Sequence, residues 1–183
     1  TGPTWTMTYT AEGNLATKRD PNLNTTTYTI YDATKTFPTR IDYPTTNGVT
    51  HFEEATYNYR FGKPATKKDE NSNTTSYSYD PFGRIRQVDA PDGGQTVTTY
   101  FDTALPVYTL VRVKETISGP TIDKYDYFDG LRRKRETRTL GEGGKTIVSR
   151  TRYDNMGRVD LTEGPFFGTG PAYAPPAEYP KTE

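Results

Sequence analysis

One histidine, 23 acidic side chains and no cysteine are what this 183-residue chain offers for metal or acid–base chemistry. The segment His51-Phe52-Glu53-Glu54 alternates as a strand does and places His51 and Glu53 on one face. A zinc site needs three or four protein ligands, and no further ligand is evident, so the segment reads as solvated strand. The lack of cysteine excludes disulfide staples and thiolate metal sites. Arg132-Arg133-Lys134-Arg135-Glu136-Thr137-Arg138 is the basic cluster of the sequence and would suit nucleic acid. Glu136 interrupts it, however, and 23 basic residues balance the 23 acidic ones. The cluster reads instead as charge guarding a sheet edge. Gly141-Glu142-Gly143-Gly144 lacks the Lys-Ser/Thr and the helix of a phosphate loop and reads as a hairpin tip. No nucleophile–base pair or carboxylate dyad emerges. The expectation is a protein that is not an enzyme, with no catalytic, cofactor or metal site and no nucleic-acid partner.

The elements carrying these residues must be strands. Val, Ile and Leu are scarce, whereas Thr is abundant and 15 Tyr and 8 Phe are present. These residues suit a pleated, half-buried surface. No apolar run approaches the roughly 20 residues of a membrane-spanning helix, so membrane insertion by this segment is not expected. Neither end looks like a natural terminus: Thr1 to Thr8 reads as a strand already under way, and Pro175-Pro176 as a loop leading onward.

Self-similarity is the main signal. Tyr79-Asp80-Pro81-Phe82-Gly83-Arg84 returns as Tyr153-Asp154-Asn155-Met156-Gly157-Arg158. Looser copies stand at Tyr9 to Asn14, at Tyr59-Arg60-Phe61-Gly62-Lys63 and at Phe128-Asp129-Gly130-Leu131-Arg132-Arg133, and Tyr31-Asp32 keeps the first half. The repeat positions are thus Tyr31, Asp32, Tyr59, Gly62, Tyr79, Asp80, Gly83, Arg84, Asp129, Tyr153, Asp154, Gly157 and Arg158. Asp80-Pro81-Phe82-Gly83 spells a type I turn followed by a residue at positive φ, in a bulged hairpin. A second kind of turn closes each unit at its other end, at Asp20 to Asn24, Asp69 to Asn73 and Asp89 to Gly94. Between turns the pattern has period two: Thr75, Tyr77 and Tyr79 share one face, and so do Val159 and Leu161. Helical periodicity is absent, and the fold class expected is all-β.

The Tyr-Asp-x-x-Gly-Arg unit resembles the YD repeat of rearrangement-hotspot (RHS) proteins, teneurins and insecticidal toxin complexes. The order of variants is similar to the repeat region of toxin-complex B-type components and related virulence proteins. It runs from Tyr31-Asp32 with Thr36-Phe37-Pro38-Thr39, through Tyr59 to Pro64 and Asp69 to Thr74. Tyr79 to Arg84, Asp129 to Arg135 and Tyr153 to Arg158 with Pro165-Phe166-Phe167 complete it. The resemblance covers most of residues 9 to 168. It implies consecutive antiparallel β-hairpins in a curved, open sheet, part of a larger spiral shell that encloses a C-terminal toxic polypeptide. Asp80-Pro81-Phe82-Gly83 also looks like half of the aspartyl self-cleavage motif that ends RHS shells. That motif needs a second copy and a partner carboxylate, and turn chemistry accounts for all four residues here.

The expected organisation is a repeat region over 1–168 of about six hairpins, then a Pro-rich loop or the next repeat over 169–183. The expected function is a structural segment of a YD/RHS shell in a secreted toxin or toxin complex. Its partners would be flanking repeats, the toxic cargo and other toxin-complex subunits, and the parent protein would be secreted or displayed on the cell surface. The alternative is a cell-surface module binding glycans or a partner through its tyrosines, with carbohydrate as a possible ligand. Asn24-Thr25-Thr26 and Asn73-Thr74-Thr75 have the form of glycosylation sites, but as turn residues leading into strands they need no sugar to explain them.

Overall fold

The computed structural model describes residues 2–174. Among them the regular elements are fourteen strands and one three-residue 3₁₀ turn, Glu142–Gly144, so the protein is all-β and antiparallel. It divides into two units, the first holding residues 1–84 and 88–91 and the second residues 85–87 and 92–183.

The first unit contains β1 (Thr6–Tyr9), β2 (Leu15–Arg19), β3 (Thr25–Tyr31), β4 (Pro38–Thr46), β5 (Val49–Asn58), β6 (Lys63–Lys68) and β7 (Thr74–Tyr79). Strand β8 (Ile85–Asp89) is shared between the units. The second contains β9 (Gln95–Phe101), β10 (Tyr108–Lys114), β11 (Thr121–Phe128), β12 (Lys134–Leu140), β13 (Lys145–Tyr153) and β14 (Val159–Thr169). Within each unit the strands lie side by side in chain order, each hydrogen-bonded to the next, and the sheet is open. Such a meander is what short loops dictate, since a tight turn can join only antiparallel neighbours.

Turn chemistry sets the register. In the β7–β8 connection the Gly83 N–H donates to the Asp80 carbonyl at 2.9 Å and the Asp80 N–H to the Arg84 carbonyl at 2.9 Å. Asp154, Gly157 and Arg158 repeat this between β13 and β14, with 2.9 and 2.8 Å. Gly83 and Gly157 stand at φ 77° and 81°, the left-handed region where glycine carries no Cβ penalty. Beyond the tip a bulge recurs. Tyr57 pairs with Pro64 but Thr56 with Thr66, leaving Ala65 extra on β6. Ala16, Thr39, Arg135 and Asp160 are extra in the same way on β2, β4, β12 and β14. A bulge turns successive side chains off strict alternation.

Three expectations are corrected. The bulge at Asp160 breaks the common face read for Val159 and Leu161, and Val159 is 60% exposed. The basic cluster lies mostly on β12, which pairs with β11 on one side and β13 on the other, so it guards no edge. The strand read over residues 1 to 8 begins at Thr6. Of the expected loop over 169–183, Thr169 ends β14, Gly170 to Ala174 lie in irregular structure, and 175–183 fall outside the described residues. The apolar core is small and sits in the second unit: among the described residues the buried apolar side chains are Tyr127 and Val148.

Candidate functional site

The repeated tip is the unit of construction. Asp80 accepts three hydrogen bonds, from the Phe82 and Arg84 backbone N–H groups at 2.9 Å each and from Arg84 Nε at 2.7 Å. Asp129 does the same with Leu131 and Arg133, and Asp154 with Met156 and Arg158. The arginine four residues on is therefore a clamp for the turn carboxylate. At the opposite ends asparagine takes the clamp's place: Asp20 accepts from the backbone and side-chain amides of Asn24, and Asp69 from those of Asn73. The positive-φ slot is filled by Leu23 and Ser72 in those turns and by Arg132 at the Asp129 tip.

These bonds favour the ionised acids. The Arg158 backbone N–H, then its guanidinium, hold the Asp154 carboxyl below its usual value. At Asp80 desolvation pushes upward, and the donors of Arg84 and Phe82 outweigh it. Asp32 is lowered as well: burial opposes, while the Phe37 and Thr36 backbone N–H groups, the Thr34 hydroxyl and the Tyr59 hydroxyl bond the anion.

A second device ties hairpin to hairpin. The Tyr31 hydroxyl donates to the Leu15 carbonyl at 2.8 Å, Tyr57 to Pro38 at 2.9 Å, Tyr79 to Pro64 at 2.7 Å, Tyr100 to Ile85 at 3.0 Å and Tyr153 to Lys134 at 3.0 Å. In each case the acceptor follows the preceding tip. Beside these bonds one side chain wedges against the next hairpin. Phe37 stacks on Tyr57 at 4.6 Å, Phe61 meets Tyr79 at 5.9 Å, and the Arg133 guanidinium covers Tyr153 at 4.3 Å.

Tyr31, Tyr79 and Tyr153 are rungs of this ladder, and Asp80, Asp129 and Asp154 are tip acids. Tyr59 is not a rung: it is 60% exposed and reaches back to Asp32. Tyr57 holds that place, with Asn58 in the Asp position, its side chain accepting from the Arg60 N–H at 3.1 Å and its carbonyl from the Gly62 N–H at 2.9 Å. Aligning Tyr57-Asn58 with Tyr79-Asp80, one residue longer at the tip, would have found it. Tyr127 also escaped the repeat pattern. Its hydroxyl donates to the Pro171 carbonyl at 2.5 Å and its ring meets Tyr173 at 5.4 Å.

Tyr77 and Tyr79 are both half-buried. His51 Nδ1 pairs with Glu70 Oε2 at 2.7 Å, and among the described residues no three His, Cys, Asp or Glu side chains converge as metal ligands would. Gly141 to Lys145 close the β12–β13 hairpin through a 2.8 Å backbone bond, as the loop's composition suggests.

A family model described as RHS Repeat matches residues 57–100. A comparison with curated proteins finds no match. The matched stretch, which holds the rungs Tyr57, Tyr79 and Tyr100, the wedge Phe61 and the Asp80–Arg84 tip, is thus similar to the RHS repeat.

Proposed function

We propose that the chain is a structural segment of a YD/RHS shell, the wall of a secreted or surface-exposed toxin or toxin complex that encloses a C-terminal toxic polypeptide. One observation carries this reading: the residues that recur act on the chain itself. The tip acids bind turn N–H groups, and the tyrosine hydroxyls bind carbonyls next to the preceding tip. A repeat spent on joining each hairpin to its neighbour suits a continuous wall, whose work is to exclude solvent and proteases. Flanking repeats of the parent protein would meet the open strands β1 and β14, and the cargo and further toxin-complex subunits would be its other partners. The glycan-binding alternative is the weaker one, since Tyr79 and Tyr153 spend hydroxyl and ring on Pro64, Phe61, Lys134 and Arg133.

The test uses the parent protein with its C-terminal polypeptide. Tyr79→Phe combined with Gly83→Val should expose that polypeptide to added protease, in step with faster amide exchange over residues 57–100. Full protection while those hairpins exchange freely would overturn the reading. So would any hydrolase or transferase activity of this segment that one point substitution abolishes without changing its circular dichroism.

A further inference from the structure

Past β14 the chain turns back across its own sheet, and it is held there by its main chain. Arg138 Nη1, on β12, donates to the Thr169 and Gly170 carbonyls at 3.0 Å each. The Tyr127 hydroxyl, on β11, donates to the Pro171 carbonyl at 2.5 Å, and the Ala174 N–H donates to Glu136 Oε1 at 3.3 Å. Recognition through main-chain groups is one way proteins hold an extended peptide, with pockets for side chains adding selectivity. Here the Tyr173 ring is the anchor. It meets the Tyr127 ring at 5.4 Å and borders a depression lined by Leu105, Pro106, Val107 and Phe128.

The groups that hold this strap are themselves buried: Glu136 fully, and Arg138 to 3% exposure. Buried charges are tolerated when their hydrogen bonds are filled. Arg138 Nε and Arg150 Nε supply two of the bonds to Glu136. The strap adds an N–H for Glu136 and two carbonyls for Arg138. A passing main chain thus completes the polar cluster.

Each conserved-looking part of the strap has a task. Gly170, at φ 61°, turns the chain off β14. Pro171 fixes its own φ, which lowers the entropy lost on docking. The same string occurs once more: Thr169-Gly170-Pro171-Ala172-Tyr173 is matched by Thr1-Gly2-Pro3-Thr4-Trp5. Trp5 stands immediately before β1 and is 55% exposed. Thr-Gly-Pro-x-aromatic is therefore a second recurring element, separate from the tips and rungs.

We propose that the Tyr127–Glu136–Arg138 face is a docking site for a Thr-Gly-Pro-x-aromatic segment, filled in cis by Thr169–Tyr173. The site stands apart from the shell reading, since it involves one segment and not the recurring hairpins.

The test uses the full chain carrying Pro171→Gly and Tyr173→Gly, which loosens the strap and leaves the face intact. Fluorescein-labelled Thr-Gly-Pro-Ala-Tyr-Ala-amide and Thr-Gly-Pro-Thr-Trp-Thr-amide should both bind it saturably in fluorescence anisotropy. A scrambled peptide of the first composition should not bind. The wild-type chain should bind both at least about tenfold more weakly, because its tethered strap competes at high effective concentration. Adding Tyr127→Phe to the loosened chain should weaken binding about fivefold, the loss of one neutral hydrogen bond. If the double variant does not fold, Tyr173→Ala alone removes the anchor, and the same ranking is expected. Failure of either peptide to saturate, equal binding of the scrambled peptide, equal affinity for the wild-type chain, or indifference to Tyr127→Phe would each overturn the proposal.

Discussion

Phe61 lies so close over Gly83 that a Cβ built on the glycine would come within 2.9 Å of the ring. Gly83 also stands at φ 77°, so two independent reasons keep a side chain out of that turn. Gly83→Val should destabilise the chain by about 2–4 kcal/mol, the sum of backbone strain and overpacking. Gly13 has a similar φ of 86° and nothing within 4 Å of its built Cβ, so Gly13→Ala should cost only about 1 kcal/mol. Urea denaturation of both variants separates the terms, and equal losses would remove the Phe61 contact from the account.

The reverse substitution should help elsewhere. Leu23 and Ser72 occupy the left-handed slot at φ 70° and 67°, and Leu23 is 65% exposed. Leu23→Gly and Ser72→Gly each relieve strain while adding entropy to the unfolded chain, for a net gain of up to about 1 kcal/mol. A lower denaturation midpoint in both would show that these turns are not strained.

The tyrosine ladder predicts a graded loss. Tyr79→Phe and Tyr153→Phe each delete one hydroxyl bond to a backbone carbonyl and should cost about 1 kcal/mol, with far-ultraviolet circular dichroism unchanged. Tyr127→Phe releases the Pro171 carbonyl instead. Its effect should appear as faster hydrogen exchange close to Pro171, and no exchange difference there would dissociate Tyr127 from that segment.

Acid should loosen the tips. Asp80, Asp129 and Asp154 all titrate below their ordinary value of 3.8 when folded. The unfolded chain therefore binds protons first as pH falls, and the native state loses this stabilisation. The contribution is complete well above pH 3.8 and disappears as pH drops through the folded values. Asp80→Asn should flatten the pH dependence of the denaturation midpoint below about pH 4, while an unchanged slope would show that Asp80 gains nothing from Arg84.

The ion pairs of Glu136 can be tested by removing one partner. Glu136 is fully buried and binds Arg138 Nε at 2.5 Å and Arg150 Nε at 2.7 Å, and it also accepts from the Ala174 N–H at 3.3 Å. Glu136→Leu would leave both guanidinium groups without their shared acid and should cost about 3–5 kcal/mol. The double variant Glu136→Leu with Arg138→Met should recover part of that loss in thermal melts. No recovery would mean that the pair is not coupled.

The amino-acid order alone determined the all-β class, the Asp-x-x-Gly tips and the positive φ of Gly83 and Gly157. These depend on four or five neighbouring residues, and a turn is decided by interactions within itself. The order did not decide which aromatic binds across hairpins. Tyr57 and Tyr59 flank Asn58 on either side, and only the bulge at Ala65 and the register Tyr57–Pro64 select Tyr57. Nor did it place the basic cluster inside the sheet, because whether β12 is an edge depends on β13, which pairs with it across the Gly141–Lys145 turn. Pairing of side chains far apart in the chain is settled by register and burial, and those exist only in the folded sheet.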